Sequence, residues 1–186
     1  MFDKIYTEIM GNFQEAGNLY SVEHANCLLG FEKLLRKFNI SIRSHDDLEQ
    51  NNYHHFKKFP HILTSQAHTR GVSISAIAFT DTYKSIGIDL EKSDRIIKDI
   101  THRFFFHAKD SEGFKSDTLK LWTMKEAIYK AVNPLTLDKK NTLRDFYIDQ
   151  DFNFFMEGRS EIFGKTKVEE IVIENQNYLL AYAVIY

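Results

Sequence analysis

An internal disulfide is out of reach for this chain, because its 186 residues include one cysteine, Cys27, and no second one to pair with it. Cys27 sits in an apolar, helix-like stretch and reads as a buried free thiol. With only two prolines and eight glycines, the sequence has no Pro- or Gly-rich linker, and no low-complexity segment divides it. No apolar run approaches the roughly 20 residues of a membrane span. The start, Met1-Phe2-Asp3-Lys4, lacks the charged and apolar regions of a signal peptide. There is no strong excess of either charge: the net charge is −2, and no basic stripe is present to attract nucleic acid or an acidic membrane. The expectation is a cytoplasmic protein with neither of those partners.

What is present is ordinary for a globular chain: 43% hydrophobic and 27% charged residues. Aromatics are plentiful, with 16 Phe and 9 Tyr, which points to a ring-rich core. A chain of this length buries a sizeable core without disulfide or metal staples. Residues 1–16 read as a strand or an irregular lead-in. A helix is expected from Ser21, its cap, with Ala25, Leu28, Leu29, Leu34 and Leu35 at helical spacing. Ile40 to Ile42 reads as a short strand, and residues 44–60 as a polar loop with a helical turn. Val72 to Phe79 and Ile86 to Glu91 read as two strands of a hairpin turning at Asp81-Thr82-Tyr83-Lys84. Ile96 to Phe106 is helical by spacing. The strongest helix runs from Asp117 to Val132, with Pro134 beyond its end. From about Phe146 the chain is strand-like, with a hairpin of Val168 to Ile173 and Tyr178 to Tyr186. Residues 73–79 and 179–185 echo one another in texture, as two halves of a duplicated fold would.

Two segments carry chemistry. In Ile86-Gly87-Ile88-Asp89-Leu90-Glu91, strand alternation sends Ile86, Ile88 and Leu90 one way and Asp89 and Glu91 the other. Two carboxylates side by side can hold a hard divalent cation; the plainer alternative is a strand with one buried and one wet face. In Leu121-Trp122-Thr123-Met124-Lys125-Glu126-Ala127-Ile128-Tyr129-Lys130, Glu126 and Lys130 share a helix face. They make either a surface ion pair or a third carboxylate with lysines placed for phosphate.

Together, Gly87-Ile88-Asp89-Leu90-Glu91 and Trp122-Thr123-Met124-Lys125-Glu126-Ala127-Ile128-Tyr129-Lys130 resemble the paired signature of the 4′-phosphopantetheinyl transferase superfamily. The resemblance covers roughly residues 60–135 and fits the longer, pseudo-duplicated, surfactin-synthetase-activating type. It implies an α+β fold of two similar halves related by a pseudo-two-fold axis, each a small, mainly antiparallel sheet packed with helices. The halves would be residues 1–85 and 86–186, in a monomer. It implies transfer of 4′-phosphopantetheine from coenzyme A to a serine of an apo acyl or peptidyl carrier protein. By position, Asp89, Glu91 and Glu126 would hold Mg²⁺, and Lys125 and Lys130 would contact phosphates of coenzyme A. In Ser65-Gln66-Ala67-His68-Thr69, His68 matches a phosphate-contacting histidine, while Ala67 stands where relatives carry serine. The acidic residue after the paired Phe falls on Lys109 or Asp110; Asp110, Glu126 and a metal-bound water are the candidates for the serine proton. Asn26-Cys27 replaces a basic residue of the first helix, with Lys57 and Lys58 as alternative phosphate contacts, and Asn133-Pro134 replaces a glycine. The rival reading is a non-catalytic relative that binds coenzyme A or a carrier protein.

Overall fold

The computed structural model describes residues 2–11, 19–52, 54–136 and 140–186, with side chains of the first helix from Val22 onward. Two five-stranded antiparallel sheets lie face to face, and a long helix covers the outer side of each. Sheet 1 contains β1 (Tyr6–Met10), β2 (Gln50–Asn51), β3 (His55–Phe56), β4 (Ile62–Thr69) and β5 (Val72–Phe79), in the order β1-β5-β4-β3-β2. Sheet 2 contains β6 (Ser85–Lys92), β7 (Phe146–Ile148), β8 (Asn153–Met156), β9 (Arg159–Ile173) and β10 (Gln176–Ile185), in the order β6-β10-β9-β8-β7. Helix α1 (Leu19–Lys37) packs on β5 and β1, and α4 (Thr118–Val132) on β6 and β10; α2 (Asp99–His102) and α3 (Glu112–Lys115) are single turns. The order strand, helix, hairpin therefore occurs twice: β1, α1, β4–β5, and β6, α4, β9–β10. This is the α+β fold in two similar halves that the sequence implied, and the echoing segments are β5 and β10, each second in its sheet. Among the described residues, no helix is long and apolar enough to cross a membrane.

Three apolar layers follow from the alternation along the strands. Ile86, Ile88 and Leu90 of β6 meet Val72, Ile74, Ala76 and Ala78 of β5 and Leu180 and Val184 of β10 between the sheets. Phe31, Leu34 and Leu35 of α1 close over Ile62, Ile77 and Phe56. Leu121, Met124, Ala127, Ile128 and Ala131 of α4 close over Phe146, Phe154, Ala181 and Ala183. Tight two-residue turns join β4 to β5 through Arg70 (φ 47°) and Gly71 (φ 85°), and β9 to β10 through Glu174 (φ 49°) and Asn175 (φ 62°). Positive φ at both central residues gives the twist that such hairpins need.

Five expectations change. β5 and β6 are not a hairpin: β5 pairs with β1 and β4, and β6 pairs with β10. Both strands are buried on both faces; β6 lies against β4, where Ile88 N–H donates to Ser65 Oγ at 3.0 Å, and meets β5 only through the central apolar layer. Lys84 N–H donates to Ile185 O at 2.7 Å, which turns the chain into sheet 2. Ile40 to Ile42 is no strand; Asn39 (φ 58°) ends α1, Ile40 N–H returns to Leu35 O, and both isoleucines pack on the α1 layer. The helix expected over Ile96 to Phe106 shrinks to Asp99–His102, because the preceding residues form an irregular loop that brings Arg95 back to Glu91. Finally, α1 begins at Leu19, two residues ahead of Ser21, and residues 44–60 hold β2 and β3 besides a 3₁₀ turn at His45–Leu48. The expected helix Asp117 to Val132 is matched, with Asp117 accepting from Lys120 N–H at 3.2 Å as the cap.

Gly87 is where α4 comes closest to β6. A Cβ there would lie 2.0 Å from Ala127 O and 2.6 Å from Ala131 N. Both are backbone atoms, so Gly87→Ala forces the helix off the strand. Overpacking of this kind costs about 2–3 kcal/mol, and urea unfolding of Gly87→Ala is expected to show at least that loss.

Candidate active site

Strand alternation turns Gly87, Asp89 and Glu91 toward α4. Both carboxylates are buried, at 7% and 5% exposure, which excludes the wet-face reading of this strand. Asp89 Oδ1 accepts from Lys130 Nζ at 2.7 Å. Glu91 Oε1 accepts from Trp122 Nε1 at 3.1 Å and pairs with Arg95. The second oxygens, Asp89 Oδ2 and Glu91 Oε2, are buried with no hydrogen-bond partner among the described residues. Glu126 lies one turn before Lys130 on α4. Burial raises its carboxyl pKa from 4.5 to about 7, and the charges of Asp89 and Glu91 add to the rise while Lys130 and Arg95 oppose it. Three carboxyl groups thus lie close enough to act on one another's charge, two of them with a buried oxygen that no described residue satisfies. Unpaired buried carboxylate oxygens are costly, and an all-oxygen donor set suits a hard divalent cation. The residues fit such an ion, although among the described residues no three acidic, His or Cys groups stand as a ready-made cage.

Next to the carboxylates is a cavity of about 420 Å³ between the halves. Its walls include His24 of α1, Gln66 and His68 of β4, and Tyr129, Lys130 and Asn133 at the end of α4. Lys130 therefore faces the cavity while holding Asp89. His68 Nδ1 lies 2.8 Å from Glu23 Oε2, and Glu23 Oε1 accepts from Gly71 N–H at 2.7 Å. α1 is stitched to β5 beside this point by Ser73 Oγ donating to Glu23 O at 3.0 Å and Ser75 Oγ donating to Cys27 O at 2.6 Å. The chain thus brings the imidazoles of His24 and His68 from the first half and Lys130, with Asp89 behind it, from the second half to one cavity.

The sequence model of the 4′-phosphopantetheinyl transferase superfamily matches residues 85–183, more than half of the 186-residue chain. The chain belongs to this superfamily. It is a transferase of the phosphopantetheinyl class, and the superfamily uses coenzyme A and carrier proteins. No curated protein matches the sequence.

For a phosphopantetheinyl transferase, two positions implied by the resemblance fall elsewhere than expected. Lys125 does not face phosphate. It is fully buried, and its Nζ donates to Asp110 Oδ2 at 2.6 Å, Phe105 O at 2.6 Å and Phe146 O at 2.8 Å. Burial pushes its pKa down to about 8, against the pull of Asp110. Asp110 is not open to a substrate proton either. Its side chain has no exposure, and besides Lys125 it accepts from His107 N–H at 2.8 Å and Ile148 N–H at 3.1 Å. The reason is position on the helix: Lys125 and Glu126 point about 100° apart, so one enters the core when the other reaches the carboxylates. Lys57 and Lys58 are also spent locally, Lys57 on Glu49 and Lys58 on Asp47 at 2.5 Å, and neither belongs to the cavity wall.

Three contributors escaped the sequence reading. Arg95 sits four residues after Glu91, a helical spacing in a segment that is not helical there. Glu23 and His24 occur in no motif, although the imidazole of His24 stands one turn from Asn26-Cys27, where a basic group was missed. Cys27 is buried as expected, and burial raises its thiol pKa to about 11.

Two outcomes follow for this transferase. Lys125→Met leaves the Asp110 charge buried and uncompensated, at a cost of about 3–5 kcal/mol. Asp110→Ala should cost a similar amount, and the double variant much less than the sum, because the two act as one network; urea unfolding of the cycle reads this. The second concerns pH. The folded chain retains at Glu126 a proton that the unfolded chain releases between pH 4.5 and about 7. The stability this group contributes is complete below pH 4.5 and is lost as pH rises through 7. Urea unfolding of the metal-free protein at pH 5 and 7.5 should show this component in the native chain and not in Glu126→Gln.

Proposed function

We propose that the chain transfers 4′-phosphopantetheine from coenzyme A to a serine hydroxyl of an apo carrier protein, with Mg²⁺ held by Asp89, Glu91 and Glu126. The observation that carries this reading is the pair of buried oxygens, Asp89 Oδ2 and Glu91 Oε2, which have no hydrogen-bond partner among the described residues and stand on the strand face turned to α4, where Lys130 links Asp89 to the cavity wall. Mg²⁺ bound there would supply positive charge to the pyrophosphate oxygens of coenzyme A.

The residues of the chain do the rest. Lys130 and His68 face the cavity and offset charge on the departing adenosine bisphosphate. Glu23 fixes the His68 ring through Nδ1. The serine oxygen forms the new bond to the pantetheine-bearing phosphorus as the bond to the adenosine bisphosphate oxygen breaks, so positioning in line dominates. With Asp110 enclosed, Glu126 is the remaining side chain among the two read from the sequence as acceptors of the serine proton. A cytoplasmic monomer is part of this reading, and a cavity walled by both halves of one chain supports the monomer; fatty-acid, polyketide and nonribosomal-peptide carriers are all open as acceptors.

The test is carrier mass after incubation with coenzyme A, Mg²⁺ and several apo carriers. A gain of one phosphopantetheine is expected, and it should vanish when chelator is added. Asp89→Asn and Glu126→Gln should each lower turnover by at least ~100-fold, and Lys130→Ala should raise the KM for coenzyme A. If no carrier gains mass while a known transferase succeeds in parallel, the transfer reading is wrong; retained coenzyme A binding would then favour the non-catalytic relative.

A further inference from the structure

Two cations stand on the carboxylates in this structure. Lys130 holds Asp89 and belongs to the motif already described. Arg95 belongs to no such motif. It lies on the loop leaving β6 and pairs with Glu91 Oε1, the same oxygen that accepts from Trp122 Nε1. Its guanidinium carbon sits 5.3 Å from the centroid of the Trp122 ring. The Arg95 side chain is 40% exposed, whereas that of Glu91 is 7% exposed. A reachable cation on a loop therefore covers a buried carboxylate. Asp89 and Glu126 act on it too, since with Glu91 they hold its pKa above the ordinary arginine value.

A divalent ion and a guanidinium cannot share Glu91 cheaply: like charges a few ångströms apart in an enclosed site repel strongly. An ion on Glu91 Oε2, the oxygen left open, therefore favours release of Arg95 from Oε1 by charge repulsion. A phosphate-bearing ligand that reaches the exposed guanidinium gives the displaced fork a matching acceptor. The ion and the anion then favour each other, and the coupling is reciprocal.

We propose that Arg95 is a counter-ion latch, which holds Glu91 through its ion pair and its stack on Trp122 until a divalent cation displaces it, and which thereby couples metal uptake to arrival of the phosphate-bearing substrate. The inference rests on the reading of Asp89, Glu91 and Glu126 as metal ligands. Arg95 is a positioning residue in this account.

The test uses the full chain without carrier protein, so that nothing turns over. Free Mn²⁺ is counted by electron paramagnetic resonance, with and without coenzyme A. The native chain should bind Mn²⁺ weakly alone and about tenfold more tightly with coenzyme A. Arg95→Gln should bind Mn²⁺ alone roughly five- to tenfold more tightly than the native chain, and coenzyme A should then add little. Arg95→Lys keeps the charge and should stay near the native affinity. Trp122 is the single tryptophan, so its emission gives a second reading: saturating Mg²⁺ should shift it in the native chain and not in Arg95→Gln. The latch alone is overturned if Asp89→Asn loses Mn²⁺ while a folded Arg95→Gln keeps native affinity and native coupling. It is likewise overturned if native emission does not move with Mg²⁺. If the native chain binds no Mn²⁺ with or without coenzyme A, or Asp89→Asn binds it equally well, the metal reading itself fails and the latch with it.

Discussion

The approach of α4 to β6 at Gly87 sets the spacing on which the acidic site depends. With no side chain at that position, the helix backbone rests directly on the strand, and Ala127 and Ala131 keep the contact close. Asp89 and Glu91 then stand opposite Glu126 and Lys130 across a gap that single side chains span. A larger residue at 87 would widen that gap and hydrate it. The glycine that opens the family motif is thus explained by packing as well as by chemistry.

Close packing creates an electrostatic problem that the rest of the site answers. Three carboxyl groups in an enclosed space cannot all ionise without counter-charge. The structure meets this in three ways: Lys130 pairs with Asp89, Arg95 pairs with Glu91, and Glu126 has its pKa raised to about 7. Below the helix, the Lys125–Asp110 pair solves a different problem. It satisfies Phe105 O, Phe146 O, His107 N–H and Ile148 N–H, and so locks α4 to the segment before α3 and to β7. One motif of consecutive residues, Lys125-Glu126, therefore divides between anchoring the helix and furnishing the site.

That division marks the limit of what was legible in the sequence. Period-two alternation in β6 correctly turned Asp89 and Glu91 to one face, and helical spacing placed Glu126 and Lys130 together, because both rest on local backbone geometry. The same information cannot say how deep a helix face is buried. Lys125 and Asp110 were therefore assigned to substrate by position in a motif, when tertiary packing had enclosed them. The false hairpin has a similar origin: two adjacent apolar strands and a polar turn look alike whether the strands pair or stack. Only burial on both faces of β5 and β6 distinguishes these, and burial is a property of the whole fold. Arg95 reaches back to Glu91 from an irregular loop, and Glu23 acts on partners distant along the chain, so no helix or strand period signals them.

The duplication clarifies why the chemistry sits where it does. Each half places a strand carboxylate against lysines of the following helix: Glu8 of β1 meets Lys37 at 2.7 Å and Lys33 at 3.6 Å, and Asp89 of β6 meets Lys130 at 2.7 Å. In the first half the lysines are largely exposed, and such a pair contributes little beyond surface electrostatics. In the second half, Glu91 adds another carboxylate on the same strand face and α4 closes over both, leaving oxygens without partners. The repeated frame is therefore a way of pinning a helix to a strand, and the site arises where burial makes that pin incomplete. The first half contributes differently, through Glu23, His24 and His68 at the cavity where the halves meet. Neither half holds both the carboxylates and the opposing imidazoles, so the joined pair is the smallest unit that carries the whole site.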